Sequence, residues 1–425
     1  MKHIMLFEQW LAVQSQPLLL EGGAAGHMNH PFDDTSLTFG DLKRMVEAGL
    51  SGNLSFEEAP TEKTDGQNVF ATIQDGQVKF ARNKTELRNP MTLAEFKDKF
   101  KDHPSEMVRD TFQFAAEDLA DQLIKLPADK QQEYFNDGKD FMNMELIYSL
   151  NPNVIHYDTD VIQFHGIKKT DGDGNIIGEG DNKKAAFEVA KMLKDVQADM
   201  GKTFKIIPPR VVQLRKDVDF SANRDRFIKK IDALQKRYDL SDTDPVSRYN
   251  EIWWRDQIEK TFPGLDDNIK DGLLMRWAYS DKKTLDMRAL AKMVTPGELA
   301  AIKKFDKEDL KAKYKENVEP FEDIFLEVGS IVLKNASEFL AVSPDQEAKR
   351  LRAEILQAAD SIKKTGTPGQ IEKVSKELAR LDKIGGIDAV LPTEGIVFTY
   401  GGKVYKLTGA FAAINQLLGT IKYGR

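Results

Sequence analysis

Two runs of apolar–polar alternation frame this chain. Between Asp65 and Lys84, Val69, Ala71 and Ile73 alternate, Asp75-Gly76 interrupts, and Val78, Phe80 and Arg82 alternate back. Asp-Gly between alternating runs suits a type I′ turn, so this stretch predicts a β-hairpin. Far downstream, Gly395 to Tyr400, Gly401-Gly402 and Lys403 to Leu407 predict a second hairpin, followed by a short apolar helix. Between them, residues 92–126 read as helical, with Leu119, Leu123 and Leu126 at helical spacing. Strand-like runs follow at Phe141–Tyr148 and Val161–Lys168, then a helix over Lys184–Met200 and a β-branched run over Phe204–Leu214. From Asp217 to about Lys383 the pattern is nearly all helical and shows no repeat of fixed period. Pro263-Gly264, Pro296-Gly297 and Thr365 to Gly369 punctuate it. Ahead of the first hairpin stand an amphipathic helix (Met1–Leu20), a Gly-rich loop (Glu21–Asp34) and a helix from about Thr38 to Ala48. The pattern predicts an α+β protein: one domain from residues 1–216 plus 386–425, and a helical insertion over 217–385.

Composition adds limits. The 425 residues are enough for two or three domains with full cores. With no cysteine, disulfides, thiolate metal sites and cysteine nucleophiles are excluded. No apolar run reaches the roughly 18 residues of a membrane span, so no membrane association is expected and a cytoplasmic location suits the chain. Net charge is −7, yet residues 183–390 hold 40 Lys and Arg against 36 Asp and Glu. Within that part, Lys202 to Arg237 carries 11 basic and 4 acidic residues. Such a stretch can bind a phosphate backbone or form a solvated helical face, and charge alone does not decide.

The candidate chemistry lies at Lys63-Thr64-Asp65-Gly66, just before the first hairpin. A lysine amine can attack a nucleotide α-phosphate, but with a free pKa near 10.4 only about one in 2,500 is unprotonated at pH 7. Partial burial and neighbouring cations lower that value, and Lys406, Lys403 and Arg82 are candidates to supply them. Phosphate charge in the transition state calls for cations and a divalent metal, for which Glu145 and Glu394 are candidate ligands.

Lys63-Thr64-Asp65-Gly66, preceded by Glu62 and followed by Asn68, resembles motif I of the covalent nucleotidyltransferases, the superfamily of ATP-dependent DNA and RNA ligases and mRNA capping enzymes. Arg82-Asn83-Lys84 stands where phage-type RNA ligases keep an arginine. Met144-Glu145-Leu146-Ile147 is similar to motif III, and Phe164-His165-Gly166-Ile167 to motif IIIa. Glu394-Gly395-Ile396-Val397 resembles motif IV and Val404-Tyr405-Lys406-Leu407 motif V. The likeness covers residues 55–215 and 390–410, about half of the chain. It implies a nucleotidyltransferase domain of ATP-grasp-like antiparallel sheets, with ATP and Mg2+ as cofactors. Lys63 would take AMP from ATP, pass it to a 5′-phosphate, and let a 3′-hydroxyl displace it. Arg82 and Lys406 would hold phosphates, Glu145 and Glu394 would serve ribose and metal, and Phe164 would stack on adenine. Glu62, Asp65, Gly66, Lys84 and Lys403 complete the implied nucleotide site. RNA, held along Lys202 to Arg237, is the implied partner, in the cytoplasm of a phage-infected bacterium.

The chain departs from the pattern at Thr408, where motif V usually has a second basic residue, and in its long helical insertion. Too few residues follow Lys406 for the OB-fold of DNA ligases and capping enzymes, which favours an RNA ligase. Two alternatives stand beside it: an adenylyltransferase acting on something other than a nick, and a degenerate fold kept as a structural or virion protein. Other motifs read as structure. His27, His30, Asp33 and Asp34 lack the spacing of a zinc site, Gly22 to Gly26 lacks dinucleotide spacing, Asp171 to Asn175 is a turn, and Trp253-Trp254 belongs to a core.

Overall fold

The structure, a computed structural model, describes residues 28–171, 173–198, 203–215, 221–279, 285–337, 339–340 and 344–423. The helix expected over Met1–Leu20, residues 21–27 of the Gly-rich loop, and Lys202 lie outside them. The chain divides into two compact units, one from residues 52–217 and 329–425, the other from 29–51 and 218–328.

Among the described residues the first unit carries the strands β1 (Thr61–Lys63), β2 (Gln67–Gln74), β3 (Gln77–Ala81), β4 (Met91–Thr92), β5 (Asp140–Ile147), β6 (Val161–Thr170), β7 (Ile176–Asn182), β8 (Lys205–Ile207), β9 (Gln213–Leu214), β10 (Ala336–Ser337), β11 (Gly395–Tyr400) and β12 (Lys403–Leu407). A seven-stranded sheet runs β4-β3-β2-β5-β6-β7, with β8 parallel to the start of β6. A three-stranded sheet runs β1-β11-β12, and β9 pairs with β10. The mixed helix and sheet is the α+β class expected. The β2–β3 hairpin turns at Asp75-Gly76, both with positive φ (52° and 69°), as a type I′ turn requires.

One face of the large sheet is apolar. Val69, Phe80 and Met144 pack there against Phe96, Phe112 and Leu119 of two helices, Leu93–Phe100 and Glu106–Leu123. Each fully buried side chain of this size contributes about 1.5–3 kcal/mol. The first of these helices begins in a Thr92–Glu95 capping box and the second at Ser105. They break the single helical stretch expected over 92–126.

Two segments fall on the other side of the expected domain boundary. Residues 29–51 belong to the helical unit, and 329–385, expected in the insertion, belong with the sheets. The helix Pro344–Thr365 is tied there by side chains. Arg350 donates to the Val154 carbonyl (2.8 Å), and Glu347 accepts from the His156 N–H (2.9 Å).

The helical unit has an aromatic core of Trp253, Trp254, Trp277, Phe262 and Phe305, all buried. Trp277 donates its indole N–H to Asp306 (3.0 Å). The Trp253-Trp254 pair is therefore core, as expected. Among the described residues, no helix is long and apolar enough to cross a membrane.

Candidate active site

Lys63 ends β1, whose partner β11 comes from the far end of the chain: Lys63 lies opposite Gly395 and Thr61 opposite Val397, which lies opposite Lys406 on β12. Side chains alternate along a strand, and residues opposite one another share a face. Lys63, Thr61, Val397 and Lys406 therefore share one face, with Lys406 two strands across and two positions along from Lys63, so that the two backbones stand about 12 Å apart. Glu394, the residue before β11, places Oε1 2.6 Å from Lys63 Nζ. Asp65, two residues past Lys63, is wrapped by the β5–β6 connection. Its carboxylate accepts from Asn153 Nδ2 (2.7 Å) and from the N–H groups of Val154 (2.6 Å) and Ile155 (2.7 Å). Its own N–H donates to the Tyr157 hydroxyl (3.1 Å).

Glu145 approaches from β5. Its Oε1 accepts the Gly66 N–H (3.2 Å), and its Oε2 lies 3.2 Å from His165 Nε2. Gly66 is obligatory by close approach, because a Cβ there would stand 2.6 Å from the Leu146 carbonyl oxygen and 2.7 Å from Glu145 Cγ. Lys63, Asp65, Gly66, Glu145 and Glu394 are thus brought together within one unit, with Lys406 on the same face of the small sheet as Lys63.

Five of the expected site residues stand differently. Phe164 is fully buried in the apolar core, because alternation along β6 turns it away from Glu145. Lys403 lies opposite Tyr400 beside the Gly401-Gly402 turn, about 17 Å along the strand from the Gly395 register. Lys84 is exposed in the first turn of the helix Lys84–Arg88. Glu62 faces the opposite side of β1 from Lys63, where it meets Arg210 Nε (3.0 Å) and the Leu340 N–H (2.9 Å). Arg82 stacks its guanidinium over the Phe112 ring (4.5 Å) and donates to the Asn68 carbonyl, beside Glu145 in the sheet.

The electrostatics reverse one expectation. Burial by itself works against the Lys63 ammonium, but Glu394, Glu145 and Asp65 outweigh it and hold the amine above its ordinary value. Its neighbours are carboxylates, where the sequence suggested cations, so Lys63 is a protonated partner in this state. Burial also works to raise Glu145, yet His165, Lys63 and the Gly66 N–H bring it below the usual carboxylate range.

Burial raises Glu62 and Asp65 to about 7, from 4.5 and 3.8 respectively. Arg210 opposes the shift in Glu62; at Asp65, Glu394 adds to it while Ile155, Val154 and Lys63 oppose it. Both groups hold protons more tightly folded than unfolded. Their stabilisation is therefore present below their unfolded values and is lost as pH rises through about 7. The thermal midpoint should be higher at pH 5 than at pH 8, and a midpoint that rises across this window would contradict both assignments.

Among the described residues, no group of three or more His, Asp or Glu side chains converges as a metal site. Mg2+ commonly binds through one or two carboxylates with substrate phosphates and water, and Glu145 with Glu394 fits that smaller requirement. Three residues of the basic stretch are paired within the helical unit. Arg224 pairs with Glu47 (2.7 Å), while Lys230 (2.6 Å) and Arg226 (3.3 Å) both pair with Glu327. The described part of the Gly-rich loop is structural, with His30 N donating to Asp33 (2.8 Å) and Asp34 accepting from Ser36 N (3.0 Å). Asp171 accepts from the N–H groups of Asp173 and Asn175 (both 3.0 Å), closing the expected turn.

Sequence reasoning missed His165, Arg210, Tyr157 and Asn153. His165 stood inside a quoted motif, one place from the aromatic residue chosen; the other three carry no local signal. No protein-family model matches this chain, and neither a curated protein nor a solved structure shows significant similarity to it.

Proposed function

We propose that this protein is an ATP-dependent nucleotidyltransferase of RNA-ligase type, with Lys63 as the residue that carries AMP. The observation supporting this most directly is the shared face of Lys63 and Lys406, on strands that come from opposite ends of the chain, with Glu394 touching the lysine. Lys63 must lose a proton before it attacks, and Glu394 Oε1, 2.6 Å away, is placed to take it. The amine then bonds to the α-phosphorus and the bond to pyrophosphate breaks, and Lys406 would offset phosphate charge. Mg2+, bound through Glu145 and Glu394, would neutralise charge on the phosphates and weaken the hold of these carboxylates on the lysine proton. Transfer of AMP to an RNA 5′-phosphate and sealing by a 3′-hydroxyl would follow, as in the family the sequence resembles.

The protein incubated with α-labelled ATP and Mg2+ should retain label through denaturing electrophoresis, and the label should leave on addition of RNA with a 5′-phosphate. Label that stays on the protein with every RNA and DNA end offered would point to an adenylyltransferase with another acceptor. A second reading, a degenerate fold kept for structure, is favoured by Phe164 lying in the core and by the carboxylates that keep Lys63 protonated. Absence of any label in the intact protein would select it.

A further inference from the structure

Glu145 stands in a row of polar residues across three strands, opposite Asn68 on β2 and Gln163 on β6. Its two oxygens are held from two directions, by the Gly66 N–H and by the His165 ring (3.2 Å each). The strand β6 is irregular at this point. Met144 lies opposite Phe164, but Asn143 lies opposite Gly166, so His165 is an extra residue with no cross-strand partner of its own. Such a bulge re-aims a side chain, and here it accompanies the delivery of an imidazole to Glu145 while Phe164 stays in the core. Both side chains keep a solvent path, 22% exposed for His165 and 13% for Glu145. An ionised carboxylate can only accept, so Nε2 carries the hydrogen of this bond.

We propose that His165 is a positioning residue for the lysine-adenylylation step, and this rests on the nucleotidyltransferase reading above: its Nε2–H fixes the Glu145 carboxylate against the Gly66 N–H beside Lys63. The role differs from that of an aromatic face for the base, which β6 would otherwise be expected to provide at this motif. Groups that hold a functional carboxylate from behind are typically worth 10- to 100-fold in activity.

Two substitutions in the full-length protein separate the roles. His165→Phe keeps a flat ring and loses the donor, whereas His165→Gln keeps a donor and loses the ring. With both shown to be folded by their thermal transitions, His165→Phe should slow single-turnover lysine–AMP formation by about 10- to 100-fold with little change in half-saturating ATP. His165→Gln should recover most of the rate. A Phe variant as fast as wild type, or faster than the Gln variant, overturns the proposal. A second measurement is independent of activity: the long-range 1H–15N spectrum of the His165 ring should show a protonated Nε2 whose shift moves in Glu145→Gln. A proton on Nδ1 alone, or a shift indifferent to Glu145→Gln, also overturns it. If wild type takes no label, the nucleotidyltransferase reading fails, and the ring spectrum still decides whether His165 fixes Glu145.

Discussion

Lys63→Arg should abolish the covalent label from ATP while leaving the protein folded. Arginine preserves the positive charge that Glu394 meets at 2.6 Å, so the ion pair and the β1–β11 register can persist. Its guanidinium does not deprotonate in proteins and cannot act as the nucleophile. The expected loss is complete within detection, at least about 1,000-fold, because no covalent intermediate can form without the amine. Lys63→Ala should lose the label too, but it also leaves Glu394, Glu145 and Asp65 without their shared cation, and its thermal midpoint should fall below that of Lys63→Arg. Label that persists in the arginine variant would move the nucleophile to another residue, and Lys406, on the same face, would be tested next.

The second large effect lies on the other side of the same strand. Glu62 is buried, with Oε2 shared between Arg210 and the Leu340 N–H and Oε1 without a hydrogen-bond partner among the described residues. Arg210→Met removes the charge paired with it while keeping much of the side-chain volume. Breaking a buried pair by deleting one partner costs about 3–5 kcal/mol, and Arg210→Met should approach the lower end of that range at pH 8. At pH 5 the cost should shrink, because Glu62, raised to about 7, already carries a proton there and loss of Arg210 leaves no buried charge unpaired. Adding Glu62→Gln to Arg210→Met should recover most of the loss at pH 8. Denaturant titrations at the two pH values would test this, and an equal cost at both would show that Arg210 acts through packing instead of charge.

How much of this was legible depended on the range of each interaction. The β2–β3 hairpin was readable because its alternation and its Asp75-Gly76 turn are local signals, and the same holds for β11–β12 with Gly401-Gly402. The order of the motifs suggested that Lys63 and Glu394 act together, but their contact arises from β1–β11 pairing, which no short window of sequence encodes. Phe164 was misassigned because the register decides which side chain of Phe164-His165 faces Glu145: Gln163 lies opposite Glu145, so alternation turns Phe164 to the core, and that pairing leaves no local trace in the sequence. Lys403 failed for a simpler reason, since three residues along a strand separate it from Lys406 and carry it to the turn. The helices Pro344–Thr365 and Pro368–Lys383 looked like their neighbours in the insertion. Amphipathic periodicity states that a face is buried without stating against what, and it is Arg350 and Glu347 that reveal the tie of the first of them to the loop around Asp65. The sign of the effect on Lys63 was lost in the same way, because the charges nearest to it come from three separate segments.

The placement of β1 between early and late parts of the chain also has a consequence for synthesis. Translation runs from the N-terminus, and structure forms as segments emerge. Every strand of the seven-stranded sheet, β2 to β8, precedes residue 208, whereas β11 and β12 follow nearly two hundred residues later. A nascent chain can therefore complete its large sheet and bury Phe80, Phe96 and Phe112 while Lys63 still lacks Glu394 and Lys406. Ribosome stalling or truncation ahead of Glu394 would leave a polypeptide with much of its core and none of its lysine–carboxylate pair. The order of emergence thus keeps Lys63 unassembled until the final hairpin has been made.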